Sequence, residues 1–565
     1  MAKPEGEGND LARSAAETTL ALNPIVGLRG EDLAAAGFNL MRSMAGRPDL
    51  LAKQWMGFAS AFADIVLQRS ELAPDPKDRR FADPGWGENV AAKGAMQAWH
   101  AWAKAVNETV EQLDLPDRDA ARARLVSSIF VDAMAPSNNP MLNPAALRKL
   151  YETKGASALS GLQNLVEDVV KNGGLPASVD RSKFEVGGNL ANTPGAVVFR
   201  NEVIELIHYT ATTPDVRRRP IVIVPPQINK YYAVDLAPSK SMVRFLLSQG
   251  FQPFCVSWRN PTAKQRDWTL QTYVEALDKA VEAAREITGA EAVNMMGSCS
   301  GGITLSSYAG WLAAKGEGEK IGALILAVCV LDTEAQTESD MAQLVTPETV
   351  MAAKRMSEMR GVLDGQELAK MFAWMRPNDL IWNYWVNNYL LGESPPAFDV
   401  LFWNADTTRL PAGLHHDFLD LIFTNPFVNP GAMSLGGHAI DMTKVRHETY
   451  VIAGTTDHIT PWKAVYGTAR LFGPETTFIL SNSGHLQSLL NPPGNPKAWY
   501  VKGKAGAADP EAWLETGEKK AGSWWEDWAA FLGERSGETL PAPKLQGSKA
   551  HPVIGPAPGT YVFEP

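Results

Sequence analysis

Apolar residues recur every three or four positions through residues 50–67 and again through 96–113, the spacing that lines one face of a helix. Pro74-Asp-Pro-Lys-Asp and Ala135-Pro-Ser-Asn-Asn-Pro interrupt that rhythm and read as breaks between helices. Up to about residue 190 the chain therefore reads as mostly helical. It carries no catalytic constellation there, so docking or assembly is its expected task. The pattern then changes. Residues 196–209 read as a strand pair, Pro220-Ile-Val-Ile-Val ends in Pro225-Pro226, and apolar runs follow at 252–257, 292–296 and 322–330. Between them Leu270, Val274, Leu277, Val281 and Ala284 share one face of a helix within 268–287. After a long interval, 450–453 and 477–480 resume the strands. Strands alternating with helices predict a mostly parallel sheet covered on both faces.

The interval itself, about 333–444, is rich in helix formers and in aromatics: Trp374, Trp382, Trp385, Phe398, Phe402 and Trp403. Inserted between two sheet strands, it reads as a cap over the active-site edge; for any single aromatic, ordinary helical core is the alternative. From Glu534 onward six prolines predict an extended tail that wraps or dangles. The expected organisation is a variable helical extension (1–75), a helical N-terminal domain (76–190) and a catalytic domain (191–565) carrying the cap and the tail.

Composition narrows the classes. The 565 residues are 45% hydrophobic and 21% charged, which excludes a disordered chain. A net charge of −10 argues against coating nucleic acid, which calls for a basic surface. The opening MAKPEGEGND lacks the apolar stretch of a secretion signal. The longest apolar run, 321–331, is well short of the ~20 residues of a transmembrane segment. The three cysteines form no CxxC pair, against a disulfide framework or a cysteine zinc site, and no HExxH occurs. A cytoplasmic, reducing compartment with no metal and no cofactor is expected.

One cysteine stands apart. Gly297-Ser298-Cys299-Ser300-Gly301 follows a predicted strand and precedes a predicted helix, the G-x-S-x-G nucleophile elbow with Cys for Ser. A buried cysteine beside a glycine-rich turn is the structural alternative. Asp457 follows the strand 450–453, and His485 follows the strand 477–480. Nucleophile, acid, histidine is the chain order of the α/β-hydrolase triad, with both partners on loops beyond strand ends. His458 is a rival base, but it shares a loop with the acid and is poorly placed to bridge Asp457 and Cys299. His415, His416 and His438 read as core or exposed histidines. An oxyanion hole needs the N–H of Ser300 and a second donor after Pro225-Pro226; prolines have no N–H, which points to Gln227 or later, with Ile228 the candidate. A thiol attacking a thioester makes another thioester at nearly level energy. The acyl group can thus be held and passed on, which favours acyl transfer over hydrolysis.

At these residues the sequence resembles the polyhydroxyalkanoate synthases. The similar blocks are 189–201, Pro225-Pro-Gln-Ile-Asn-Lys-Tyr-Tyr, Val256-Ser-Trp-Arg-Asn-Pro, 398–411, Thr456-Asp-His-Ile-Thr-Pro-Trp and 481–497. Arg79-Arg-Phe-Ala-Asp-Pro-Gly-Trp and 139–168 are similar to the family's N-terminal domain. The family box often has Ala before the cysteine, where this chain has Ser298. The loop 225–230 and the stretch 261–268 look most like the single-subunit, medium-chain-length (class II) branch.

The resemblance implies an α/β-hydrolase fold with an inserted cap, and polymerisation of (R)-3-hydroxyacyl-CoA into polyester with release of CoA. Cys299 would be acylated, His485 would be the base, and Asp457 would either orient His485 or activate the 3-hydroxyl. It further implies a homodimer on a cytoplasmic polyester granule, possible granule-associated proteins, and no nucleic acid. The alternatives are a cysteine-dependent hydrolase of the same fold (thioesterase, esterase or lactone hydrolase) and a non-catalytic granule scaffold.

Overall fold

The computed structural model describes residues 30–76, 78–334, 347–366, 377–457 and 459–565. His458 and Trp374 lie outside them. Helices Pro48–Val66 and Val90–Gln112 pack together, as their apolar spacing predicts. The second starts where the Asn89 side chain accepts from Ala92 N–H, satisfying an orphan donor of the first turn. Its Met96, Trp99 and Ala103 close on Phe81, Trp86 and Val131 to form a small core. Arg80 lies over the Trp99 ring and pairs with Asp78 and Asp132, tying the layer together.

The sheet begins near residue 195, with β1 Gly195–Arg200 and β2 Ile204–Tyr209. Then come β3 Ile221–Val224, β4 Pro253–Trp258, β5 Val293–Ser298 and β6 Ile321–Ala327. After the insertion follow β7 Glu448–Gly454, β8 Thr477–Ser481, β9 Trp499–Lys504, β10 Glu518–Ala521 and β11 Gly555–Pro556. They form one eleven-stranded sheet in the order β10-β9-β8-β7-β6-β5-β3-β4-β2-β1-β11. From β8 to β4 all pairings are parallel; the flanking ones are antiparallel. The central strands are buried on both faces, and their alternation splits the core in two. In β3, Val222 and Val224 join Leu277 and Leu305 on one side, while Ile221 and Ile223 join Leu246 and Trp528 on the other.

The strand expected over 322–330 ends at Ala327. Val328 takes φ +47° and gives its N–H to Ile452 O at 2.8 Å, turning the chain out of the sheet and setting Cys329 against Gly302 of the preceding helix, Ser300–Lys315. Such a φ is an outlier for a β-branched residue, so composition gave no sign of it.

The insertion carries helices Pro347–Arg360, Asp399–Ala405 and Ala412–Thr424 and two wide π-helical stretches, Asn378–Trp382 and Trp385–Leu390. Its partner is the N-terminal helical layer. Helix Ala156–Lys171 lies so close to it that a Cβ on Gly161 would sit 2.0 Å from Tyr389 O. Tyr389 Oη donates to Asp168 (2.8 Å), Asn164 Nδ2 donates to Asn388 O (2.9 Å), Trp385 Nε1 donates to Asn138 O (3.1 Å), and Lys149 pairs with Glu393 (2.8 Å). The proline-rich tail wraps. Thr539–Pro541 pairs with Asp215–Arg217, β11 covers the edge of β1, and Glu205 accepts from the N–H groups of Thr560 and Tyr561.

Candidate active site

Parallel strands end on the same side of a sheet, and that edge is where doubly wound sheets collect their chemistry. Here β5 leads into Cys299, β3 into Pro225-Pro226-Gln227, β7 into Asp457 and β8 into His485. Four loops far apart in sequence therefore meet.

Cys299 stands between β5 and helix Ser300–Lys315 with φ +49° and ψ −125°, a conformation that L-residues avoid. Its N–H is held by Ala327 O at 3.0 Å. The glycine spacing read from the sequence has its cause here. A Cβ on Gly301 would lie 2.3 Å from Val224 O, and one on Gly297 would lie 2.7 Å from Gly302 Cα. Only bare backbone lets the end of β3 pass beside Cys299.

Asp457 and His485 are both buried and meet at 2.7 Å, Oδ2 to Nδ1. Asp457 Oδ1 accepts from the N–H of Ile459 (2.9 Å) and of Thr460 (3.0 Å), and the Thr460 hydroxyl donates to Oδ2 at 2.7 Å. Burial pushes the Asp457 carboxyl up, but the His485 charge and these hydrogen bonds outweigh it and hold it below its ordinary value. Burial likewise disfavours a charged His485. The adjacent Asp457 carboxylate, with hydrogen bonds to Asp457 and to Cys299, prevails and raises the imidazole well above its ordinary value. With Nδ1 engaged by Asp457, Nε2 is left to face the Cys299 thiol.

His485 opens the short helix His485–Leu489, which is fixed from behind. The indole N–H groups of Trp524 and Trp525 donate to Ser488 O (2.7 Å) and Leu489 O (3.0 Å).

On the loop after β3, Gln227 N–H is taken by Ser300 Oγ at 3.2 Å. The Ser300 hydroxyl thus ties this loop to the start of helix Ser300–Lys315. Among the described residues, neither Ile228 N–H nor Ser300 N–H has a protein acceptor. The insertion reaches the same loop. Thr408 N–H donates to Ile228 O (3.0 Å), the Thr408 hydroxyl donates to Gln227 O, and Trp403 Nε1 donates to Lys230 O (2.7 Å).

The structure thus brings Cys299 beside His485, which is hydrogen-bonded to Asp457, with Ser300 and Ile228 on the adjoining backbone. The other cysteines stand apart: Cys255 is buried in β4, and Cys329 is packed behind Gly302. His415 is buried in the insertion against Ser357, and His416 meets Lys354 O. Sequence reading missed Thr460 and Thr408. Asp-x-x-Thr spacing is a local turn signal that could have found the first; nothing local marks the second.

Two family models match the chain: the poly-beta-hydroxybutyrate polymerase (PhaC) N-terminus over residues 77–246 and the alpha/beta hydrolase fold over residues 220–492. The chain is 48% identical to poly(3-hydroxyalkanoate) polymerase 1 of Ectopseudomonas oleovorans, over 98% of this chain and 99% of that protein. It is 46% identical to polymerase 2 of the same organism, over 96% of both chains. With the poly(3-hydroxyalkanoate) polymerase subunit of Cupriavidus necator it shares 36% identity over 95% of this chain and 91% of that one. With such identity sustained along nearly its whole length, the chain belongs to the poly(3-hydroxyalkanoate) polymerase family.

Proposed function

We propose that the protein is an acyltransferase that polymerises (R)-3-hydroxyacyl-CoA into polyester through Cys299, His485 and Asp457. The observation that carries this reading is a cysteine on a strained elbow, beside a buried hydrogen-bonded His–Asp pair, in a chain aligned end to end with named polymerases.

His485 Nε2 takes the thiol proton as sulfur attacks the thioester carbonyl. The resulting oxyanion is met by the N–H groups of Ser300 and Ile228. Collapse expels the CoA thiolate, which takes the proton back from His485, and leaves the acyl group on Cys299. The 3-hydroxyl of one acyl unit then attacks the thioester of another, forming an ester and freeing a thiol. The substrate carries its own activation, so the proposed chemistry uses no metal and no further cofactor.

Homodimer formation and a cytoplasmic granule surface, with or without granule-associated proteins, complete the proposal. No described helix is long and apolar enough to cross a membrane. Helix Ala156–Lys171, however, exposes Leu159, Leu162, Val166, Val169 and Val170, an apolar stripe suited to lying on polyester.

The test measures free CoA and insoluble polymer together. CoA released in step with polymer supports the polymerase. CoA with free 3-hydroxy acid identifies a thioesterase, and neither product identifies a scaffold. Run with 3-hydroxybutyryl-CoA beside 3-hydroxyoctanoyl-CoA, the assay also tests the medium-chain reading. That reading expects the longer substrate to be faster, since each buried methylene is worth about 0.8 kcal/mol.

A further inference from the structure

We propose that Thr408 is a positioning residue that aims the Ile228 N–H into the oxyanion site, so that the insertion takes part in setting the catalytic backbone. This rests on the reading above, in which Ser300 and Ile228 supply the two donors.

The argument begins with one peptide unit. The Gln227–Ile228 peptide is planar and trans, so the carbonyl of Gln227 and the N–H of Ile228 point in opposite directions. Whatever grips that carbonyl therefore aims that N–H. The grip is the Thr408 hydroxyl, which donates to Gln227 O, 181 residues away in sequence. Thr408 is buried, as are Gln227 and Ile228, so no bulk water competes for the carbonyl. The rest of the loop is fixed independently. Gln227 N–H goes to Ser300 Oγ (3.2 Å), Gln227 Nε2 donates to Thr304 Oγ1 (2.8 Å), and Thr408 N–H holds Ile228 O (3.0 Å). Asn229 bridges to Thr407. With both flanking groups pinned, the remaining freedom of the 227–228 peptide is rotation of its plane. The Thr408 hydroxyl removes that freedom.

The test compares Thr408→Val, which keeps volume and backbone N–H but loses the hydroxyl, with Thr408→Ser, which keeps the hydroxyl. Two reagents separate the roles. Iodoacetamide alkylates Cys299 by displacing iodide and generates no oxyanion. Octanal adds to the thiol to give a hemithioacetal whose oxygen occupies the oxyanion position. Removing a whole oxyanion donor costs about a hundredfold to a thousandfold in kcat; misaiming one is expected to cost about tenfold or more.

For T408V we expect that loss in kcat, a KM nearly unchanged, octanal inhibition weakened in parallel, and iodoacetamide labelling at the parent rate. T408S should recover most of the loss. Parent-like octanal inhibition and kcat in T408V would overturn the proposal. So would slowed iodoacetamide labelling, which would mean that Thr408 supports the fold or the thiol–imidazole pair instead. Octanal binding, read by calorimetry, that is as tight in Cys299→Ala as in the parent would overturn the underlying triad reading and this proposal with it.

Discussion

Cys299 combines a positive φ, glycines two positions to either side and a His485 contact, and neither Cys255 nor Cys329 has this combination. Burial pushes the Cys255 and Cys329 thiols well above their ordinary range, which leaves them protonated and unreactive. Cys299→Ala is therefore expected to abolish CoA release and thiol labelling, while Cys255→Ala and Cys329→Ala retain both. Substantial turnover by a folded Cys299→Ala protein would remove the nucleophile assignment. His485→Ala should fail to acylate, because the thiol loses its base. Asp457→Asn should still acylate slowly but elongate poorly if the acid serves mainly the hydroxyl attack. Single-turnover CoA release read against polymer length separates these steps, and equal loss of both would assign Asp457 a purely orienting role. The placement of Cys299, Asp457 and His485 at one edge of the sheet was legible because each follows a strand, in the chain order of the α/β-hydrolase fold. Thr460 and Thr408 were not, because their roles lie in contacts that no spacing rule encodes.

Strands show the same division between local signal and remote cause. The buried strands from β3 to β8 are continuous apolar runs, and each was read within a few residues. β9 and β10 were missed, since Trp499-Tyr-Val-Lys-Gly-Lys and Glu518-Lys-Lys-Ala belong to a polar sheet edge and carry little alternation. His208 in β2 shows what a buried strand position does to a titrating group. It stacks on Phe254 (centroids 4.2 Å apart), Nδ1 accepts from Gly547 N–H (3.3 Å), and burial lowers its pKa to about 4. An unfolded histidine titrates near 6.5. Between those values the unfolded chain binds a proton that the folded one refuses. The stabilising contribution is therefore full above pH 6.5 and falls as pH drops toward 4, on the order of 3 kcal/mol in all. Denaturant midpoints of wild type and His208→Gln, taken from pH 7 to 4.5, should converge as pH falls. Parallel curves would show that His208 is not a source of acid lability.

At the scale of the whole molecule, the N-terminal helices and the sheet domain communicate through the insertion. Gly161, Asn164 and Asp168 grip residues 388–393, while Thr408 and Trp403 of the same insertion hold the loop after β3. Deleting residues 1–190 leaves every sheet strand and triad residue in place but strips the insertion of its outer support. The expected product folds as a sheet, is cut by protease within 377–396 far faster than the full chain, and releases CoA more slowly. Unchanged protection and rate would show that the helical layer is dispensable to the site. The sequence marked where helices give way to strands, because the hydrophobic period changes there. It did not show that the two parts clasp a common insertion, because the contacts join residues 173 to 224 positions apart.

The closure of the sheet edge by β11 bears on how the molecule is made. β1 is among the first strands synthesised, yet its outer edge is covered only by Gly555–Pro556, and the neighbouring Tyr561–Asn201 hydrogen bond spans 360 residues. During translation, at roughly 5–20 residues per second, that edge stays open for tens of seconds after β1 leaves the ribosome. In that interval it is a template for a neighbouring nascent chain. Yield of soluble protein should thus depend on how crowded the polysome is as well as on the finished fold, and slower initiation would favour the native pairing.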